Sequence, residues 1–475
     1  AYRVNMSLGV YALEAGKPEE AAAFLRDAVA IRREPLALVR LSRVEQQLGH
    51  IPEAAKALRE AVALGASPDA MLELATLLSK LDQNVAALDY LDKALETAQT
   101  PEARARTLAM KAALLSENGD NAGARQTLKE ALKAPGGDKP RLLSELGETN
   151  LRLGDNAAAV TAFGQAVDAG AGADIQSALA EALVRDGKPE QALGVYRKLA
   201  ETAETPERRN AARLATANLL VRLGQHAEAA EIFLSLAKSG QPGMLLKAGQ
   251  SFLAARQDGK AIAAFEASAS MAGSQSAKAE ALIALGNVYA GRREAKKAYA
   301  TFTQASRLAA DLPRDKQADI ALGRGTAAML AGEPAKAVEP FTQALRLVDD
   351  GSRKARALMS LGQAYGTLGD AKNAAEAWKR AAAMPGALRT DVASAEENLG
   401  YILSAAGDLA GAEKAFRSAL TASGPNWRLL AALGQVAFKA GRYQDALDDF
   451  TRSLALHPDV TTRILPRLAP LKAGL

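Results

Sequence analysis

Two pairs of adjacent acids are the residues whose type and spacing come closest to an acid–base pair. Glu396 and Glu397 form one pair, and Asp448 and Asp449 form the other. A general acid and a general base need environments that hold the pKa values of their two carboxyl groups apart. Neighbours on one helix project about 100° apart around its axis, and no nearby pattern predicts unequal burial. We therefore expect both pairs to be solvated and not catalytic.

The remaining candidates for catalysis or metal binding are few. The histidines His50, His226 and His457 are too far apart in sequence for a local ligand motif, and cysteine is absent. The segment 323–328, GRGTAA, formally matches a dinucleotide-binding fingerprint, but it lacks the preceding strand that such a site requires. The sequence therefore predicts a protein that is not an enzyme and has no cofactor and no metal site.

Composition and charge narrow the class of protein further. The 475 residues include 59 basic and 54 acidic side chains, a net charge of +5 without a basic run, so we predict no nucleic-acid partner. The longest stretch without a charged residue, 357–369, is shorter than the roughly 18 residues of a membrane-spanning helix, so we predict no membrane insertion. Aromatic residues make up only 4% of the chain, which favours helices over pleated sheets.

A repeating pattern runs along the whole chain and fixes where the other candidate residues lie. In LGETNLRLGDNAAAVTAF, residues 146–163, a small residue is followed by a glycine seven residues later, an alanine five after that and a large apolar residue four further on. A glycine that ends one helix, followed by an Asp that begins the next, predicts a helix–turn–helix unit. The anchor alanines recur about every 35 residues, at Ala21, Ala54, Ala87, Ala124, Ala159, Ala192, Ala229, Ala261, Ala298, Ala337, Ala374, Ala412 and Ala446.

This pattern resembles the tetratricopeptide repeat (TPR), and the resemblance covers essentially the whole chain. It implies an all-α solenoid of thirteen repeats, stacked in a right-handed superhelix over residues 1–458. Residues 459–475 are then a C-terminal tail or the start of a further repeat or linker. Because neither end carries the polar outer face of a capping repeat, we expect both ends to be cuts within, or at the boundary of, a larger protein.

The chain departs from the family pattern at several turns. Asp82, Arg256 and Arg293 replace the turn glycine in the third, eighth and ninth repeats, so we expect these turns to be distorted. Some intervals between anchor alanines reach 37 to 39 residues. We expect the extra residues to lie between successive repeats, for example around residues 202–209 and 311–317.

The resemblance also implies a concave groove lined by the first helix of each repeat. The position after the small residue projects into this groove, and from the seventh repeat onward it is uncharged and mostly amide. Amides donate and accept hydrogen bonds, so the row favours a neutral ligand with repeated polar groups, such as an extended peptide or a glycan. The alternative is a solvated groove without a fixed ligand. The row consists of Asn218, Gln250, Asn287, Thr326, Gln363, Tyr401 and Gln435.

Charged residues recur on the same surface of the fifth and sixth repeats. Glu148 and Arg152 stand four residues apart, and Glu181 and Arg185 repeat that arrangement. Residues four apart on a helix are neighbours, so we interpret both as intrahelical ion pairs. The alternative is a short charged stripe that recognises a partner.

Two classes of function are consistent with a long repeat array of this kind. The alanine-rich, cysteine-free repeats are similar to the periplasmic segments that precede the outer-membrane barrel of bacterial exopolysaccharide exporters, such as cellulose exporters, and of related phage-adsorption proteins. That class implies a non-catalytic scaffold that docks synthase or secretion components, with polysaccharide as a further partner. The alternative is a cytoplasmic TPR adaptor that binds peptides or helices of other proteins.

Overall fold

The computed structural model describes residues 1–457. Over this range the chain forms twenty-six α-helices, two for each predicted repeat, with one short 3-10 helix and no strand. The prediction of an all-α TPR solenoid is confirmed. No helix within the described range is long and apolar enough to cross a membrane. The proposed tail, 459–475, lies outside the described residues, and the handedness of the superhelix stays a prediction.

The chain divides into two compact units, Ala1–Leu219 and Leu220–Leu475. Odd-numbered helices are the first helix of a repeat (helix A) and even-numbered helices the second (helix B). The first unit contains α1 Tyr2–Glu14, α2 Pro18–Ile31, α3 Pro35–Gln47, α4 Ile51–Ala63, α5 Pro68–Lys80, α6 Asn84–Thr97, α7 Pro101–Glu117, α8 Asn121–Ala131, α9 Lys139–Arg152, α10 Asn156–Asp168, α11 Ala173–Arg185 and α12 Pro189–Thr202.

The division between the units falls inside α13, Pro206–Arg222. The second unit contains α14 His226–Lys238, α15 Met244–Ala254, α16 Asp258–Ser270, α17 Gln275–Gly291, α18 Ala295–Ser306, the 3-10 helix Ala309–Asp311, α19 Arg314–Leu330, α20 Ala335–Leu347, α21 Gly351–Thr367, α22 Ala371–Ala382, α23 Arg389–Ala406, α24 Leu409–Ser423, α25 Trp427–Lys439 and α26 Tyr443–Leu456.

The core of each repeat forms where helix B packs on helix A. All thirteen anchor alanines are completely buried. The large residue four positions after the anchor lies over the small residue of helix A: a Cβ placed on Gly147 would lie 2.5 Å from the ring of Phe163. Small side chains at both positions let the two helices approach closely while one large ring fills the space between them.

The turn between helices A and B has the predicted chemistry. Gly154 takes a left-handed conformation with φ of +75°, which a residue without a Cβ adopts at little cost. The next residue, Asp155, caps helix α10 by accepting a hydrogen bond from the backbone N–H of Ala158 at 3.1 Å. The glycine therefore ends one helix and the aspartate begins the next.

The expectation of distorted turns at the three replaced glycines was wrong. Asp82, Arg256 and Arg293 adopt the same left-handed conformation as the glycines, with φ between 56° and 58°. The flanking helices hold the backbone of the turn in place, so the side chains are accommodated with local strain rather than with a different turn.

The extra residues of the long repeats are helical rather than connecting loops. In the six repeats that follow intervals of 37 to 39 residues, helix A has 17 or 18 residues, compared with 11 to 14 in the others. Four residues are about one helical turn. The insertions therefore lengthen helix A at its N-terminal end by one turn, as at residues 206–209 and 314–317.

The added turns carry ion pairs to the preceding helix A. Arg208 of α13 lies 3.3 Å from Asp174 of α11 in the first unit. In the second unit Arg353 of α21 lies 2.6 Å from Asp319 of α19. These contacts link consecutive repeats. They lie at the end of each hairpin that is opposite the turn between helices A and B.

Candidate functional site

The predicted groove positions lie on the surface of helix A in the expected way. In the second unit Asn287 is exposed, whereas Gly286 and Val288 on either side of it are buried. In the first unit Glu148 is exposed between buried Gly147 and Thr149. Six other predicted positions are also exposed: Asn218, Gln250, Thr326, Gln363, Tyr401 and Glu181. Gln435 is partly buried. Their contact with a ligand stays a prediction.

Three amides of the second unit are free for an external ligand. None of the side chains of Gln250, Asn287 and Gln363 makes a hydrogen bond within the described part of the chain. The ring of Tyr401 packs edge-on against Phe416, with ring centroids 5.1 Å apart. Burial of the ring and the nearby charge of Glu397 raise the pKa of the Tyr401 hydroxyl, which donates a hydrogen bond of 3.4 Å to Glu397.

The surface around the amide row in the second unit carries little charge. The positions four residues after the row, from α15 to α23, are also exposed and uncharged. Together with the residues of the row on α15 to α23, they form a surface without charged members in the second unit. We call this surface the neutral strip. Its members at these later positions are Ala254, Gly291, Leu330, Thr367 and Ala405. Such a surface favours uncharged ligands, because the residues that form it carry no charge.

A cleft lies between α7 and α9 on the predicted groove surface of the first unit. It contains a cavity of about 290 Å³ lined by Ala113, Ser116, Glu145, Glu148 and Arg152, among others. A second cavity of about 430 Å³ opens between the N-terminal halves of the same two helices. The cleft forms because helix α7 presents small side chains here, which leave space beside the longer side chains of α9.

The two predicted ion pairs behave differently. Arg152 lies 3.6 Å from Glu148 and also donates a hydrogen bond to Ser116 across the cleft, so this pair is confirmed. No ion pair joins Glu181 to Arg185 in the described structure, so that prediction was wrong. Both side chains are exposed, and an exposed pair contributes too little to hold two long side chains in one geometry.

Among the four paired acids, only Asp448 is exposed as predicted. Glu396 is half-buried and Asp449 is buried, and burial raises the pKa of both carboxyl groups. The spacing contained a signal for Asp449, because it lies three residues after the anchor Ala446 and therefore on the packed face of α26. Asp449 lies 3.4 Å from Arg452, and the described residues contain no cluster of metal-binding side chains.

Sequence reasoning also missed a buried acid in the second repeat. The side chain of Glu45 is only 2% exposed, and its carboxylate accepts a hydrogen bond of 2.6 Å from Arg26. Its other oxygen lies 2.9 Å from Nδ1 of His50. The position is apolar in most other repeats, so only the departure from that pattern could have identified this cluster. It is a packed polar contact within the core of the second repeat.

The helical hairpins, the left-handed turns and the exposed helix-A surface define a repeat protein built for interaction. Sequence models of the tetratricopeptide repeat match residues 6–34, 39–103, 110–174, 177–243, 322–391 and 391–459. The chain belongs to the tetratricopeptide repeat family. Members of this family are generally non-catalytic scaffolds for protein interaction.

Several solved structures are similar to the chain. The Cut9–Hcn1 hetero-tetramer of the APC/C matches with 17% identity and a TM-score of 0.35, over 98% of this chain and 96% of that one. YrrB, a TPR protein with an unusual peptide-binding site, matches with 19% identity and a TM-score of 0.33, over 39% and 90%. MamA matches with 20% identity and a TM-score of 0.34, over 39% and 94%. No curated protein matches the chain in sequence.

Proposed function

We propose that this scaffold is the periplasmic TPR segment of an outer-membrane exopolysaccharide-export protein, of the cellulose-exporter kind, or of a related phage-adsorption protein. In this role it docks synthase or secretion components and contacts the polymer. The observation that carries the proposal is the neutral strip with its unpaired amides at Gln250, Asn287 and Gln363.

The chemistry of the neutral strip supports contact with a glycan. A neutral polysaccharide presents repeated hydroxyl groups, and amide side chains both donate to and accept from them. Tyr401 adds a half-exposed ring at the same register, which offers an apolar face beside its polar hydroxyl. Gln250 and Asn287 are one repeat apart, and Thr326 occupies the same position in the repeat between Asn287 and Gln363, so successive contacts would hold an extended chain along the helix-A surface.

Cell fractionation tests the location. We expect the intact protein, recovered from its native cells, to sediment with outer membrane as a species much larger than 50 kDa. A soluble cytoplasmic species near the mass of this chain, 49.6 kDa, would contradict the periplasmic proposal and leave the adaptor alternative.

Glycan binding tests the contact with polymer. We expect the triple variant Gln250→Ala, Asn287→Ala, Gln363→Ala to lose binding of soluble cello-oligosaccharides, measured by calorimetry. Gln304→Ala is the matched control, because Gln304 is an exposed amide on helix B of the same unit. Equal binding by the triple variant and the wild-type protein would leave only a docking role.

The cytoplasmic adaptor is the second candidate, and the cleft between α7 and α9 favours it. Glu145, Glu148 and Arg152 line this cleft together with small apolar residues, a mixture that suits a peptide with charged side chains. In that case substitutions at Glu148 and Arg152 weaken partner binding, whereas substitutions in the neutral strip do not.

A further inference from the structure

A groove between α23 and α24 in the second unit has no part in the proposed function. It has a volume of about 850 Å³ and lies between the first two turns of α23 and one side of α24. Arg389, Val392 and Glu396 line it from α23 at positions i, i+3 and i+7, and therefore from one side of that helix. Glu396 precedes Tyr401 by five residues, which is about 140° around the axis. The groove is therefore separate from the neutral strip, and the inference below goes beyond the glycan-binding role.

The charged side chains of this groove are only partly paired with each other. Arg417 lies 2.8 Å from Glu413, and Arg442 of α26 contacts the same carboxylate, so the charge of Glu413 is compensated within the fold. Arg389 and Lys414 are exposed, and neither forms an ion pair in the described part of the chain. These two cations therefore give the groove an attraction for anionic groups of a ligand.

The carboxyl group of Glu396 is a second unmatched feature of the groove. It is half-buried, and no hydrogen-bond donor reaches it within the described residues. Burial raises its pKa, whereas the charge of Lys414 lowers it. A carboxylate that loses part of its hydration without gaining a donor is destabilised. A ligand that donates a hydrogen bond to Glu396 would replace the hydration that folding removes.

The length and lining of the groove indicate an extended ligand. Its wall on α24 runs from Ala410 to Ala422, which is about 18 Å of helix. About five residues of extended peptide have this length. Small apolar side chains, among them Val392 of α23, separate the charged groups of the lining, so the surface suits a chain that carries both apolar and charged side chains.

We propose that this groove binds an extended acidic segment of a partner protein. Carboxylates of the segment pair with Arg389 and Lys414, and a backbone N–H donates a hydrogen bond to Glu396. An apolar side chain of the segment contacts Val392. A peptide can leave the position beside Glu396 uncharged, whereas a polyphosphate carries a negative charge on every unit and would place one against this carboxylate. The combination of free cations and an acceptor without a donor therefore favours a peptide.

Fluorescence anisotropy on the full chain tests the proposal with three labelled pentapeptides, in which valine alternates with glutamate, glutamine or lysine. We expect saturable binding of the glutamate peptide, binding of the glutamine peptide that is weaker by about tenfold or more, and no binding of the lysine peptide. Arg389→Ala and Lys414→Ala should each weaken binding of the glutamate peptide about fivefold, the effect of one lost ion pair. The matched control is Lys439→Ala, since Lys439 is an exposed lysine of α25 outside the groove, and it should leave binding unchanged.

Glu396→Ala separates the proposed hydrogen bond from general electrostatics. If charge alone governed binding, removal of this negative charge would strengthen binding of the glutamate peptide. We expect weaker binding, because the backbone donor of the peptide loses its acceptor. Stronger or unchanged binding in Glu396→Ala would overturn the proposal, as would failure of the glutamate peptide to bind. Circular dichroism melts establish that each variant is folded.

An acidic glycan is the competing occupant, and oligogalacturonate is its probe. We expect it to bind more weakly than the glutamate peptide. Tighter binding of oligogalacturonate that is lost in Arg389→Ala would overturn the proposal, because the occupant would then be a glycan. The triple variant of the neutral strip should bind the glutamate peptide as the wild-type protein does, so failure of the glycan-binding role leaves this test unaffected.

Discussion

The indole of Trp378 lies directly over Gly362, so close that a Cβ on the glycine would come within 2.5 Å of the indole Nε1. Seven other repeats have the same relationship between a glycine of helix A and a large residue sixteen positions later. Most of these large residues are phenylalanines. The contact sets how closely the two helices of a repeat approach, because any side chain at the glycine would displace the ring.

Gly147→Ala tests this contact in the first unit. We expect it to destabilise the protein by about 1–3 kcal/mol, because the new methyl group overlaps the ring of Phe163 in a filled core. Gly164→Ala in the same repeat is the control. Gly164 lies inside α10 with open space around its Cα, so we expect a gain of about 1 kcal/mol from helix propensity. Urea denaturation measures both, and equal effects would contradict the packing argument.

Arg256→Gly tests the strain at the turns that lack glycine. Arg256 has φ of +57°, a conformation that costs an L-residue about 1–2 kcal/mol. We therefore expect the glycine variant to be more stable by about 1 kcal/mol in thermal or urea unfolding. The reverse change at a native glycine, Gly224→Ala, should destabilise by a similar amount, because Gly224 has φ of +73°. Unchanged stability in both variants would mean that these turns relax without strain.

In the ion pairs of the added helical turns, the basic residue lies on the later helix in some pairs and on the earlier helix in others. Arg353 in the first turn of α21 pairs with Asp319 of α19, whereas Asp391 in the first turn of α23 pairs with Arg356 of α21 at 3.4 Å. We expect Arg353→Asp to lower the stability by about 0.5–1 kcal/mol and the double variant Arg353→Asp, Asp319→Arg to recover part of it. The recovery should shrink at 1 M salt. Additive effects of the two changes would show that the pair is not coupled.

Two acids of the second unit should make the stability of the fold depend on pH in opposite directions. Glu413 is held by Arg417 and Arg442, and hydrogen bonds from these guanidinium groups lower its pKa. Burial raises the pKa of Asp449 despite the nearby charges of Arg417 and Arg452. A lowered carboxyl pKa adds stability that is present above the ordinary pKa and is lost as the pH falls through the folded-state value. A raised pKa has the opposite sign, since stability falls as the pH rises from the ordinary to the raised value.

The matched variants are Glu413→Gln and Asp449→Asn. At pH 7 we expect Glu413→Gln to be less stable than the wild-type protein and Asp449→Asn to be more stable. As the pH falls, the difference for Asp449→Asn should disappear first, because its pKa is raised, and the difference for Glu413→Gln should persist to lower pH, because its pKa is lowered. Urea unfolding followed by circular dichroism between pH 3 and 7 measures this, and slopes of the same sign would contradict the assignment.

The sequence was sufficient for the features that depend on local spacing. Gly154 and Asp155 predict the turn, and the anchor Ala159 with Phe163 predicts the packed face, because each involves residues within one hairpin. The position of exposed residues such as Asn287 also follows from the spacing. The helical hairpin and its buried anchor alanine repeat thirteen times, so a departure in one repeat does not hide the pattern.

The features that depend on contacts between repeats were harder to predict. The lengthened helices begin with ordinary helix-start residues, such as the cap Thr100 before Pro101, but the packing of the added turn beside the preceding helix A involves residues far apart in the chain. Burial of Glu45 and Asp449 depends on which neighbours cover them. The failed ion pair between Glu181 and Arg185 shows the same limit, since their spacing permits a contact that solvent exposure does not maintain.

The contact between each glycine and its large residue also has a kinetic consequence. It closes a loop of only sixteen residues, so the core of a hairpin forms from contacts that are close in the chain. Proteins with predominantly local contacts fold rapidly, because little loop entropy is lost before the contacts form. We expect single hairpins to form first during synthesis and then add to their neighbours, so that folding proceeds along the chain as residues emerge from the ribosome.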